Sequence, residues 1–103
     1  MSSPDLRGLQ TLAVHAGEGP DPTTRASAPN LVMSTTFLID PDIAFSAEEL
    51  EPDAPFVYTR WGNPTVRQLE EKLAALEGAE AAIGFASGMA AISALLTYAL
   101  RPG

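Results

Sequence analysis

The sequence predicts an α/β fold in its opening stage: a long N-terminal arm, then one strand with a helix on each side. Three observations predict it. Ala81 to Ala86 is a short apolar run behind Gly78 that fits a buried strand. Ala90 to Leu100 is long enough and rich enough in Ala and Leu to be helical, with its first turn beginning at Gly88. Asn63 to Gly78 carries both a start and a stop signal for another helix. One strand and two helices do not complete a sheet, so the domain reads as incomplete, a fragment of a larger protein. The boundary falls between an arm and extended segment, residues 1–56, and the start of the α/β domain, residues 57–103.

Composition limits the function classes. At 103 residues the chain holds one domain at most, and 46% hydrophobic content is ordinary for a protein with a core. A formal charge of −7, with six basic residues scattered among thirteen acidic ones, argues against a nucleic-acid surface. Without cysteine there is neither a disulfide framework nor a thiolate metal site, which suits a reducing, cytoplasmic setting. Met1 to Gln10 lacks the apolar core of an export signal. Met89 to Leu100 is far short of the ~20 apolar residues that cross a bilayer. No membrane role is expected.

The elements follow in chain order. Met1 to Asn30 is rich in Pro and Gly, with Leu12, Ala13 and Val14 as its apolar island, so it is either loose or laid against another surface. His15, the one histidine, has no partner at ligand spacing and reads as an ordinary structural or surface residue. Leu31 to Ile39 reads as extended chain, broken by Asp40-Pro41-Asp42. Ser46-Ala-Glu-Glu49 matches a capping box for a short helical turn ended by Pro52, and the acidic group Glu48, Glu49, Glu51 and Asp53 reads as a solvated face. No metal site is expected.

Tyr58 and Arg60 alternate along an extended segment, which would point both side chains one way. A guanidinium fork and a phenol suit a phosphate, and an Arg beside a packed Tyr is the plainer alternative. In the helix that follows, Asn63 is the N-cap, Pro64 takes the first position and Gly78 lies past the end. Val66, Leu69, Leu73 and Leu76 form its apolar stripe. Arg67, Gln68, Glu70, Glu71 and Lys72 fall on the wetter face, where Lys72, the chain's one lysine, reads as a solvated residue rather than a nucleophile.

The Ser87-Gly88 turn ends the predicted strand and opens the last helix. A helix start directs unpaired N–H groups and the positive end of its dipole at whatever sits before it, so an anion would be stabilised there. Ser87 can cap the helix, and Gly88 lets a ligand approach the backbone. This reads as a phosphate cradle; a capped, buried helix that binds nothing is the alternative. Gly84 and Gly88 fit neither the dinucleotide fingerprint nor the P-loop.

Tyr58-Thr-Arg-Trp-Gly-Asn-Pro-Thr65 resembles the Tyr-Ser/Thr-Arg-x-x-Asn-Pro-Thr signature of the Cys/Met-metabolism (trans-sulfuration) family of pyridoxal-phosphate enzymes. Leu76-Glu-Gly through Ala86-Ser-Gly-Met-Ala-Ala-Ile92 is similar to the family's next block. Thr11 to Gly17 and Pro29 through Phe37 are similar to its opening segments. The family includes cystathionine γ-synthase, cystathionine lyases, methionine γ-lyase and O-acetylhomoserine sulfhydrylase. The resemblance implies a fold-type I transferase domain and pyridoxal 5'-phosphate as cofactor. It also implies C–S bond formation or cleavage at the β or γ carbon of a sulfur amino acid, in a homotetramer with sites shared between subunits.

By the same resemblance, the backbone N–H groups of Gly88 and Met89 hold the cofactor phosphate, and Tyr58 and Arg60 reach it from the neighbouring subunit. The proline-rich arm resembles one that wraps an adjacent subunit. The family's cofactor-linking lysine, in a Ser-x-Thr-Lys context far downstream, has no counterpart among these residues. Catalytic residues are therefore expected outside the chain. A non-catalytic remnant, serving as an interaction or regulatory module, is the alternative reading. A generic phosphate or nucleotide binder leaves the Tyr58 to Thr65 motif unexplained.

Overall fold

A computed structural model describes residues 8–42 and 54–101. Three helices appear in order: α1 (Leu9–His15), α2 (Pro64–Glu77) and α3 (Gly88–Ala99). The predicted turn at 46–52 and the acidic group Glu48 to Asp53 lie outside the described residues.

α2 begins and ends where its local chemistry places it. The Asn63 side chain accepts from the Thr65 N–H at 2.9 Å, Pro64 sits where no N–H is needed, and Gly78 closes the helix in the left-handed conformation at φ 62°. α3 opens on a second cap, the Ser87 hydroxyl accepting from the Ala90 N–H at 3.1 Å.

α1 has only seven residues and no side-chain cap, too short to hold itself together in water. It lies against α2, so this part of the arm is docked rather than loose. The docking surface is the face of α2 expected to be wet. Lys72 is partly covered rather than solvated: its ammonium pairs with Glu18 and donates to the Val14 carbonyl at 3.2 Å. That carbonyl belongs to the last turn of α1, where a cation satisfies an orphan acceptor and complements the helix dipole. The helix-surface pattern could not reveal this, because the partner comes from the arm.

The predicted strand at 81–86 is not paired among the described residues. Among the described residues the one β pairing is an antiparallel bridge between Thr36 and Tyr58, with Phe37 N–H to Val57 O at 3.1 Å and Thr59 N–H to Thr35 O at 2.9 Å. Residues 81–86 run without a pairing partner, and Ile83 is 76% exposed. Strand geometry depends on a ladder, and among the described residues no second strand lies beside this segment. The α/β character predicted from this run is therefore absent from the described residues.

The apolar stripe of α2 and nearly all of α3 are left uncovered. Among the described residues only Ala16 and Ala74 are buried apolar side chains, while Leu69, Leu73, Ile92, Leu95 and Leu96 stand in solvent. α3 packs against neither α1 nor α2.

The arm also contains a closed loop. Asp21 Oδ1 accepts from the Thr23 and Thr24 N–H groups and the Thr24 hydroxyl, and Oδ2 accepts from Asn30 Nδ2 at 2.6 Å. The Thr24 N–H, then its hydroxyl and less strongly the Thr23 N–H hold the Asp21 carboxyl below its ordinary 3.8. Arg25 turns the loop at φ 60°, a left-handed conformation that an L side chain resists. Arg25→Gly is expected to raise stability by about 1 kcal/mol, read as a higher urea midpoint at unchanged slope. A lower midpoint would mean that the arginine side chain outweighs the backbone strain.

Candidate functional site

The Tyr58 to Thr65 motif forms a compact knot built on Asn63, which is only 6% exposed. Besides capping α2, Asn63 Nδ2 donates to the Val32 carbonyl at 3.1 Å and lies within hydrogen-bonding distance of the Ser34 carbonyl and Thr59 Oγ1. Thr65 completes the junction, its hydroxyl accepting from the Val32 N–H at 2.9 Å. The 31–36 segment is thus fastened to the start of α2 by side chains. N-cap preference identifies Asn63 in the sequence, but its bonds to residues some thirty positions away have no sequence signal.

Tyr58 and Arg60 come together, though not by extended alternation. The Tyr58 carbonyl accepts from the Trp61 N–H at 3.0 Å and the Gly62 N–H at 3.3 Å, so the chain turns immediately after the bridge. The turn lays the Arg60 guanidinium over the Tyr58 ring, 5.2 Å from its centre, and sets the Trp61 ring edge-on to Tyr58 at 5.8 Å. Arg60 is exposed. Its charge is oriented by an aromatic platform and open to an anion.

Gly88 and Met89 occupy the first positions of α3. Gly88 has no positive φ, and a Cβ there would meet nothing within 4 Å. Neither backbone conformation nor packing within this chain demands glycine. The N–H groups of Gly88 and Met89 have no acceptor among the described residues, as expected at a helix start. The donor set, two free N–H groups at a capped helix start beside an open Cβ position, fits a phosphate group.

Among the described residues no hydrogen bond, ion pair or ring contact joins Tyr58 or Arg60 to Gly88 or Met89. A cavity of about 350 Å³ beside the Tyr58 turn is lined by Arg60, Arg67, Glu70 and Gly84 among others, without Gly88 or Met89. Glu70 is a contributor that sequence reasoning placed only on a wet face. Its carboxylate accepts from the Gly84 N–H at 2.7 Å.

Comparison with known proteins decides the family. Residues 10–103 match the family described as Cys/Met metabolism PLP-dependent enzyme. The chain belongs to this family. Among Cys/Met-metabolism relatives, it is 45% identical to an L-methionine gamma-lyase of Streptomyces avermitilis, over 90% of this chain and 24% of that protein. It is 42% identical to a cystathionine gamma-synthase of Mycobacterium leprae, over 95% of this chain and 24% of that protein. Its structure is similar to the crystal structure of metB from Corynebacterium glutamicum, with a TM-score of 0.79 and 38% identity, covering 99% of this chain and 25% of that one. The chain thus spans about a quarter of the length of the relatives it matches. The described elements correspond to that quarter of a Cys/Met-metabolism enzyme, so the fold-type I assignment stands at the level of the family. No helix among the described residues is long and apolar enough to cross a membrane.

Proposed function

We propose that this chain is the N-terminal part of a cytoplasmic pyridoxal-phosphate enzyme that makes or breaks a C–S bond at the β or γ carbon of a sulfur amino acid. Its own contribution is to hold the cofactor phosphate. The observation that carries this reading is the start of α3, where a Ser87-capped helix directs unpaired N–H groups at an open Gly88. When bound, the cofactor supplies an electron sink for reactions at the amino acid's carbons. Gly88 and Met89 bind and orient its phosphate through the backbone. Tyr58 and Arg60 add a hydroxyl donor and a fixed positive charge from a neighbouring subunit, a reading supported by a cavity beside Arg60 that is lined without Gly88 or Met89. A homo-oligomer, a tetramer by family resemblance, supplies that neighbour. The uncovered faces of α2 and α3 give the rest of such an assembly surfaces to pack on. No observation favours a non-catalytic module.

The test is Gly88→Val in the full-length protein. Because a Cβ at Gly88 meets nothing within 4 Å, the fold should accept the change while the branched side chain obstructs the ligand. Affinity for pyridoxal 5'-phosphate should fall about tenfold or more, corresponding to loss of about 1.4 kcal/mol of phosphate binding. Unchanged cofactor retention would remove the cradle.

A further inference from the structure

Resting on that phosphate reading, we infer that Glu70 is a positioning residue for the cradle, acting through the backbone of Gly84. Glu70 lies in the second turn of α2 and is partly exposed. Its Oε1 accepts from the Gly84 N–H at 2.7 Å. A Cβ at Gly84 would lie 3.5 Å from that oxygen and 3.8 Å from Val66 Cγ1, so the backbone itself is seated on α2 at this point. Among the described residues this is the one hydrogen bond that ties residues 80–86 to another element.

The consequence follows from what does not hold α3. Among the described residues the helix packs against neither α1 nor α2, so within this chain its link to α2 runs through Gly84-Phe85-Ala86 into the Ser87 cap. A carboxylate accepting a backbone N–H is a charge-assisted bond, stronger and shorter than a neutral one. It fixes the chain four residues before the cradle at Gly88, a span of at most ~14 Å.

Electrostatics and positioning make opposite predictions here. Glu70 carries negative charge beside the segment that leads into the cradle, so removing that charge alone should, if it acts at all, tighten binding of a dianionic phosphate. If Glu70 acts by holding Gly84, losing its acceptor should weaken binding instead. Glu70→Gln removes the charge and keeps an acceptor; Glu70→Ala removes both.

The experiment titrates the full-length apo-protein with pyridoxal 5'-phosphate and, separately, with pyridoxal, which lacks the phosphate. Exchange of the Gly84 amide is followed alongside. Glu70→Ala is expected to lose about tenfold in affinity for the phosphorylated form, keep wild-type affinity for pyridoxal, and speed exchange at Gly84. Glu70→Gln should restore all three. Glu70→Ala binding the phosphorylated form as well as or better than wild type, or losing both ligands equally, overturns the inference. Gly88→Val separates the two readings: if it loses phosphate affinity while Glu70→Ala does not, the cradle stands and the role of Glu70 falls. If neither variant changes binding, both fall.

Discussion

Gly17→Ala is expected to release α1 from α2 and to cost about 2–4 kcal/mol of stability. Gly17 sits at φ 70°, and a Cβ there would stand 2.7 Å from the Gln68 carbonyl oxygen, 3.0 Å from Glu71 Cβ and 3.2 Å from the Lys72 nitrogen. Two of those three atoms are backbone in the middle of α2, so they cannot move aside as the end of a side chain would. The left-handed conformation adds its own penalty of roughly 1–2 kcal/mol for a residue with a Cβ. Relief comes only by moving the arm, and α1 alone is below the length at which a helix persists.

The readout is hydrogen exchange at Ala16, whose N–H now donates to Leu12 O at 2.9 Å. Its protection should collapse in Gly17→Ala. At Gly19, where a Cβ meets nothing within 4 Å and φ is not positive, the same substitution should leave the arm in place. Removing the partly exposed Lys72–Glu18 pair is a smaller perturbation, within the roughly 0–1 kcal/mol typical of such pairs. Wild-type protection of Ala16 in Gly17→Ala would show that α1 is held from elsewhere.

The second large effect is expected at Asn63→Asp, a change that helix-cap preference alone would score as harmless. Aspartate caps a helix as well as asparagine does, so the bond from Thr65 N–H would survive. The amide donors would not. The Val32 carbonyl would lose its 3.1 Å partner, the Ser34 carbonyl and Thr59 hydroxyl would lose contacts, and a carboxylate would face those carbonyl oxygens at a site 6% exposed. Leaving buried acceptors unpaired and placing a charge among them should cost about 2–4 kcal/mol. Urea unfolding checks it: the midpoint should drop sharply in Asn63→Asp, and lowering the pH to protonate the new carboxyl should recover part of the loss. A midpoint equal to wild type would reduce Asn63 to a helix cap.

Asn63, Gly78 and Ser87 announce the bounds of α2 and α3 because a cap acts on N–H or carbonyl groups within a few residues of itself. The same locality made the Tyr58 to Thr65 motif and the Ser87-Gly88 turn readable as site candidates before any fold was known. Periodicity was a weaker guide. It placed an apolar stripe on α2 that stands exposed here, and a strand at Ala81 to Ala86 that has no neighbour to pair with. Both readings depend on surfaces supplied by other parts of a fold.

By itself the sequence determined the two capped helices, the family motif and the open glycine at the start of α3, since each rests on chemistry within one or two turns of chain. Tertiary structure alone decided that α1 docks on the polar face of α2, that Asn63 fastens the 31–36 segment, and that Glu70 holds Gly84. The physical reason is separation along the chain. Lys72 meets Val14 across 58 positions, Asn63 meets Val32 across 31 and Glu70 meets Gly84 across 14. Such bonds form only after the segments have been brought together at the entropic expense of closing the intervening loops. No local pattern records which polar side chain will be facing which backbone when they arrive.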